Sequence, residues 1–311
     1  MIFPGVVVVI GIAISIAVFI RLNNRAQIEL SERLADTGRQ LTSVADEAIN
    51  DAVDHAQATK AFLEASGPVT ADGFGHFAET VQGLYGGGIA YAPKIPAGQL
   101  STFLANTRRT SPTFQLHGDK VTTTELEVDR VYWPILYTSG LEPGFGRGFD
   151  LGSHSLVRAA IDSTLRTGSP AATRFLSVPD DPHAVEFLIV VPVGNGTDPS
   201  GLAVVTVELD DVIEAKAEDL FGPDTTFGLS QDVERFMSNV PDNDSTHWTG
   251  PIDARGQPVT LIIDNGHPVA SSPAAPWLLA LGIGISVLLG WVIYGRRRRK
   301  FLDMGQRSLV A

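Results

Sequence analysis

The chain has 311 residues, 44% of them hydrophobic, a formal net charge of −12 and no cysteine. A disulfide framework and thiolate chemistry are therefore excluded. Residues 21–275 hold 17 Lys and Arg against 34 Asp and Glu, a net of −17, while the stretch from Pro276 onward holds six bases and one acid. An acidic region of this kind disfavours nucleic acid as a partner, because phosphates need a basic face.

Ile2–Ile20 runs 19 residues without a charge, close to the roughly 20 that a membrane span needs. It has no cationic start and no small-residue cleavage site before Arg21, so residues 2–20 are predicted as an uncleaved transmembrane helix. From Asn24 to Ser66 there is no proline and only one glycine, Gly38. Leu34, Leu41 and Ala48 step by seven, which predicts a long stalk helix over 21–66. Its apolar stripe would either pack on its own domain or pair with a second copy. Gly67-Pro68 ends it, and Thr70 is placed to cap a second helix with Phe74, Phe77 and Val81 on one face. Gly86-Gly87-Gly88 is read as a turn, since no Gly-Lys-Ser/Thr follows it. A short strand at Ile89–Tyr91 comes next, then a third helix opening at Pro96 with Leu100, Phe103 and Leu104 inward.

Val131–Tyr137 is apolar, aromatic and β-branched, as a buried strand requires. Gly140, Pro143, Gly144, Gly146 and Gly148 interrupt it. Ser153 or Ser155 is expected to cap a helix whose apolar face is Leu156, Ala159, Ala160 and Leu165, ended by Gly168 and Pro170. Further strands are predicted at Ala172–Val178, Glu186–Val193, Leu202–Leu209, Thr226–Ser230 and Val259–Asp264. Asp210 or Asp211 is expected to cap a helix ending near Phe221-Gly222-Pro223. Strands and helices in mixed order, joined by short loops, indicate an α+β fold with antiparallel sheets. A Pro- and Ser-containing linker over 266–276 leads to a second uncharged run, Trp277–Tyr294. Arg296–Lys300 is an abrupt basic stop. It orients 277–294 as an outside-to-inside span, with the tail 295–311 cytoplasmic and 21–275 outside. Gly282, Ser286 and Gly290 lie four apart, a spacing that lets membrane helices approach closely. Together with the stalk seam it points to a homodimer.

The seven histidines show no H-x-x-x-H or H-E-x-x-H spacing, and there is no G-x-S-x-G elbow. No catalytic residue, metal site or cofactor is expected, and the chain is not read as an enzyme.

The segment Gly83-Leu-Tyr-Gly-Gly-Gly-Ile-Ala-Tyr-Ala-Pro-Lys-Ile-Pro96, then Tyr132-Trp-Pro-Ile-Leu136, Gly148-Phe-Asp-Leu151, Arg158-Ala-Ala160 with Thr167-Gly168, and Val190-Val-Pro-Val193 follow one another in an order that resembles the CHASE sensory domain of bacterial and plant receptors. The resemblance covers about residues 55–215. It implies a stalk helix followed by two PAS-like antiparallel-sheet subdomains over 67–275, with a small-molecule pocket in the membrane-distal one. Known plant members bind cytokinins through an acidic side chain shortly after the Tyr-x-Pro strand. That place falls at about Gly140 here, so a ligand other than a cytokinin is expected. A threonine after the Thr-Gly helix end also contributes in those receptors, and Thr173 matches it. Tyr91, Trp133, Tyr137 and Phe187 are expected to supply apolar walls and Thr173 a polar contact. The chain is thus read as a sensor in the cell inner (plasma) membrane that binds a small extracytoplasmic molecule and signals through a cytoplasmic or membrane partner. Only 16 residues follow Gly295, which suits a receptor cut short or a stand-alone sensor. A tethered extracytoplasmic enzyme and a ligand-free structural module of the envelope are the alternative readings.

Overall fold

The computed structural model describes residues 4–82, 87–119, 130–141, 145–178, 181–195, 198–221, 226–232, 234–238, 247–264 and 275–307. Gly86, the Pro143-Gly144 step, Gly222-Pro223, most of the linker and the last residues of the tail lie outside them. The chain divides into two compact units. One comprises Met1–Asp36, Asp242–His247 and Gly266–Ala311; the other comprises Thr37–Pro241 and Trp248–Asn265.

In the first unit, helix α1 begins at Pro4 and continues unbroken to Ala65 in the second. Its early apolar side chains, among them Val9, Ile10 and Ile14, are exposed. Among the described residues it is the one helix long and apolar enough to cross a membrane by length and composition. Helix α6 (Ala275–Arg307) carries a shorter apolar stretch, Pro276–Val292. The two helices meet through small residues. A Cβ on Gly11 would strike Ser286, and one on Gly282 would strike Ser15. Each serine returns its hydroxyl hydrogen to its own helix, Ser15 to the Gly11 carbonyl at 2.9 Å and Ser286 to the Gly282 carbonyl at 2.7 Å. The Gly282–Ser286 face, expected to serve a second copy, is occupied by the chain's own first helix.

In the second unit, α1 is followed by α2 (Ala71–Gln82), β1 (Ile89–Pro93), β2 (Ile95–Pro96) and α3 (Ala97–Thr110). Then come β3 (Val131–Tyr132), β4 (Tyr137–Ser139), a single 3-10 turn at Leu151–Ser153 and α4 (Ser155–Thr167). β5 (Ala171–Ala172), β6 (Leu176–Val178), β7 (Asp181–Asn195), β8 (Asp198–Glu208) and α5 (Leu209–Phe221) follow. β9 (Thr226–Gln231), β10 (Glu234–Ser238), β11 (His247–Ala254) and β12 (Gln257–Asp264) complete the order. A six-stranded sheet runs β4-β1-β8-β7-β5, with β6 also on β7; a four-stranded sheet runs β10-β9-β12-β11; β2 and β3 form a separate pair. The pairings within them are antiparallel.

The long β7–β8 hairpin sets the two faces of the larger sheet. Because side chains alternate, Ala90, Ala92, Leu188, Val190, Leu202 and Val204 join one core with α4. Ile89, Phe187, Ile189, Val191, Val205 and Val207 take the other face. There α1 lies across β1 and β8, enclosing a cavity of about 190 Å³ lined by Ala48, Ala52, His55, Ile89, Val205 and Val207, among others. Burial pushes His55 down, while Asp51 and Asp54 pull it up. Leu41, Ala45, Ile49, Ala52 and Ala56 are buried, so this stretch of the predicted dimer seam is spent within the chain's own unit.

Several expectations change. The run Val131–Tyr137 is not one strand: Pro134 cannot donate to a ladder, and the chain passes from β3 in one sheet to β4 in another. Ala172–Val178 is also broken: the Thr173 amide still donates to the Leu188 carbonyl of β7 at 2.9 Å, but side chains take over the next two ladder positions. Thr173 Oγ1 accepts from the Leu188 amide at 3.0 Å, and Gln231 Oε1, from the smaller sheet, accepts from the Phe175 amide at 2.9 Å. Helix α4 is preceded by His154, which makes no side-chain cap, and it buries Val157, Ala160, Ile161 and Thr164. Leu156 and Leu165 pack only partly, and Ala159 is exposed. Asp210 and Asp211 lie within the first turn of α5, where they complement its dipole. β10 and β11 were not expected. The Thr70 cap and the left-handed Gly168 terminus (φ 69°) are as predicted.

Two contacts hold these pieces in register. Gly38, the lone glycine of the stalk, faces Trp248 of β11, whose ring leaves no room for a Cβ there or at Gly250. Asp150 is fully buried and its carboxylate accepts from the Trp133 amide at 2.8 Å, the Gly152 amide at 3.2 Å and Arg130 Nη2 at 2.5 Å.

Replacing Gly38 with Val should displace the Trp248 ring and cost about 1–3 kcal/mol, read as a lower melting temperature with altered tryptophan fluorescence. Asp150→Ala should cost about 3–5 kcal/mol, because it leaves a partly buried guanidinium and the Trp133 and Gly152 amides without their acceptor; chemical denaturation of both forms at neutral pH measures it.

Candidate functional site

Against the α4 side of the larger sheet lies a cleft of about 320 Å³. Trp133 and Val131 form one wall, and Ile161 and Leu165 of α4 another. Lys94, Arg130, Arg158 and Asp162 supply its charge, and Gly152 its floor.

The local chain explains each placement. Arg130 immediately precedes β3, and its guanidinium sits 5.0 Å over the Tyr132 ring while one amino group bonds Asp150. Burial pushes the Asp150 carboxyl above the ordinary carboxylate range, and the Trp133 amide, Arg130 and the Gly152 amide act against that. The same carboxylate holds the Trp133 backbone, which fixes the indole at the cleft wall. Arg158, one turn into α4, donates Nε to the Gly152 carbonyl at 2.7 Å. Lys94, at the β1–β2 junction, pairs with the exposed Asp198 at 2.5 Å. The cleft is therefore a rigid, partly apolar trough bordered by bases. Among the described residues its walls hold no serine or histidine, and no group of three His, Asp or Glu could hold a metal.

The five residues predicted to touch a ligand are divided between the two faces of the sheet. Trp133 lines the cleft. Tyr91 and Tyr137 stack on each other with centroids 6.3 Å apart, and Tyr137 also stacks on Phe74 of α2 at 5.6 Å. The Tyr137 hydroxyl donates to the Val69 carbonyl at 2.7 Å. Phe187 is fully buried 6.1 Å from Phe175, and Thr173 is buried with its hydroxyl in the β5–β7 ladder. Gly140, where a purine-reading carboxylate was sought, has φ 71° and lies so near Gly88 that a Cβ on the latter would strike its carbonyl. A side chain at Gly140 would be strained whatever its charge.

Sequence reasoning overlooked Arg130, Asp150, Arg158 and Lys94. Asp150 and Arg158 stood inside the quoted motifs, and Arg130 adjoins the aromatic strand. The available signal was a base beside a strand in a markedly acidic region.

Residues 67–240 match the sequence model of the CHASE domain. No curated protein matches the chain in sequence. Among solved structures, the periplasmic sensory domain of the Campylobacter jejuni chemoreceptor Tlp1 is 10% identical and aligns over 81% of this chain and 99% of its own, with a TM-score of 0.52. An extracellular ligand-binding receptor from Desulfohalobium retbaense is also 10% identical, over 74% of this chain and 40% of its own, with a TM-score of 0.46. The ligand-binding domain of the Pseudomonas aeruginosa amino acid chemoreceptor PctB, in complex with L-Gln, is 14% identical over 80% of this chain and 98% of its own, with a TM-score of 0.44. The first of these shows a shared fold of a long helix and antiparallel sheets. The family match spans more than half of the chain, and its motifs fall on the strands and the helix that build the cleft: the protein belongs to the CHASE domain family of extracytoplasmic sensory domains.

Proposed function

We propose that the protein is a two-span membrane sensor whose two PAS-like subdomains face the outside and whose cleft between β3 and α4 takes a small molecule. The cleft itself is the observation that carries this reading: a trough of about 320 Å³ with an indole wall and fixed polar groups around it. Binding sites for small molecules are concave, largely apolar and furnished with a few placed polar groups. α4 and α1 lie on opposite faces of one sheet. A ligand that draws α4 toward β3 changes the packing of that sheet, and α1 rests on its far side. α1 also carries the apolar segment that would enter the bilayer. The output is passed to a partner in or beneath the membrane. The exposed Trp277 and the exposed pair Trp291 and Tyr294 stand toward the two ends of the apolar stretch of α6. Aromatic side chains favour that level at membrane interfaces.

A thermal-shift screen of the full-length protein in detergent against metabolites tests the sensor. A ligand at 100 times its Kd should add about 2.7 kcal/mol. Leu165→Trp, which fills the cleft from α4, should remove the shift; an undiminished shift would place binding elsewhere. The absence of cysteine makes sidedness simple to measure. A single Ser101→Cys variant should react with an impermeant maleimide in intact cells, and Ser308→Cys only after permeabilisation. Labelling of both in intact cells would refute the two-span arrangement.

A further inference from the structure

We propose that the ligand of this cleft is a small carboxylate with an apolar body, its charge received by Arg158 and Arg130 and its body laid against Trp133. This rests on the reading of the cleft as the sensor's binding site. The charge balance is the first argument. Three bases and one acid line the cleft; Lys94 is paired with Asp198 and Arg130 with Asp150, which leaves Arg158 as the lining base with no carboxylate at ion-pair distance among the described residues. A base in that state favours an anion over a cationic ligand.

The second argument is how the guanidinium groups are held. Arg158 is anchored at Nε by the Gly152 carbonyl. Among the described residues it has no carboxylate within ion-pair distance, Asp162 four residues on included, although its charge acts on Asp150 from further off. Its two terminal amino groups therefore remain uncommitted among the described residues. Arg130 spends one amino group on buried Asp150 and rests on the Tyr132 ring, which fixes its plane. Arginines held this way have already lost most of their rotamer freedom, so an incoming anion costs less ordering. Their paired N–H groups match the two oxygens of a carboxylate. The third argument is the remaining wall: half-buried Val131 and Leu165, with the edges of the buried Trp133 and Ile161 behind them, lie directly beside the bases, which suits an apolar body better than a bare inorganic anion.

The test uses the full-length protein in detergent, with acetate, benzoate and phenylacetate, the primary amide of each, and inorganic phosphate as probes. Benzoate and phenylacetate should raise the melting temperature, and their amides should not. Arg158→Gln should weaken the two acids about 10- to 100-fold, the value of a charge-assisted hydrogen bond. Asp162→Asn should tighten them, a gain that misfolding cannot imitate. If the amides bind as well as the acids and Arg158→Gln changes neither, the carboxylate assignment is overturned while the cleft remains a binding site. Phosphate binding as strongly as benzoate would likewise overturn it in favour of a general oxyanion site. If none of these probes binds and a metabolite found in the screen still binds the Leu165→Trp variant, the cleft reading and this assignment both fall.

Discussion

One buried carboxylate organises the cleft and the segments that build it. Asp150 accepts three donors from two segments of chain: Arg130 and Trp133 on either side of β3, and Gly152 in its own turn leading into α4. Burying a charge is costly unless its lone pairs are filled, and here each donor also has a job at the cleft. Removing any one of them would leave the carboxylate poorly solvated and the corresponding wall loose. Pro134 bridges to Asp150 as well, so the proline that prevents one continuous strand also helps to place the acid.

The larger sheet divides the work. On one face the side chains of β7 and β8 close a core with α4 and carry the cleft. On the other they receive α1, with a smaller cavity between. Both faces of the sheet are thus buried, and a close-packed interior of this kind resists compression. Gln231 and Asp232 of the smaller sheet reach across to the Phe175 amide and to Arg174, the latter at 2.8 Å. The segment between β5 and β6 is thereby tied to both sheets.

Small residues in the helices allow close approach rather than flexibility. Gly11 and Gly282 each admit the other helix's serine, and Gly38 admits Trp248. In a helix interior glycine costs about 1 kcal/mol relative to alanine, and at these three places the neighbouring side chain leaves no room for a Cβ. The serine–glycine face and the middle of the stalk seam are both covered within their own units.

Local pattern was enough to establish the helices and the long hairpin, but not every strand. The proline-free run after Asn24, the left-handed Gly168, the Thr70 cap and the alternating strands of the hairpin are dictated by propensity and spacing, and they fold as expected. The order of the motifs was sufficient to identify the family. Which face each aromatic takes was not legible. Tyr91 and Trp133 belong to similar apolar strands, yet a period of two in one and a proline in the other send them to opposite sides of the sheet. Nor were the contacts of Arg130, Asp150 and Arg158 legible, because a charge's partners depend on which chain segments meet in space. Sequence alone determined the helices, the hairpin and the acidic character of the domain. Tertiary structure decided that three bases would gather beside one indole, since only long-range packing brings β1, β3 and α4 to a common wall.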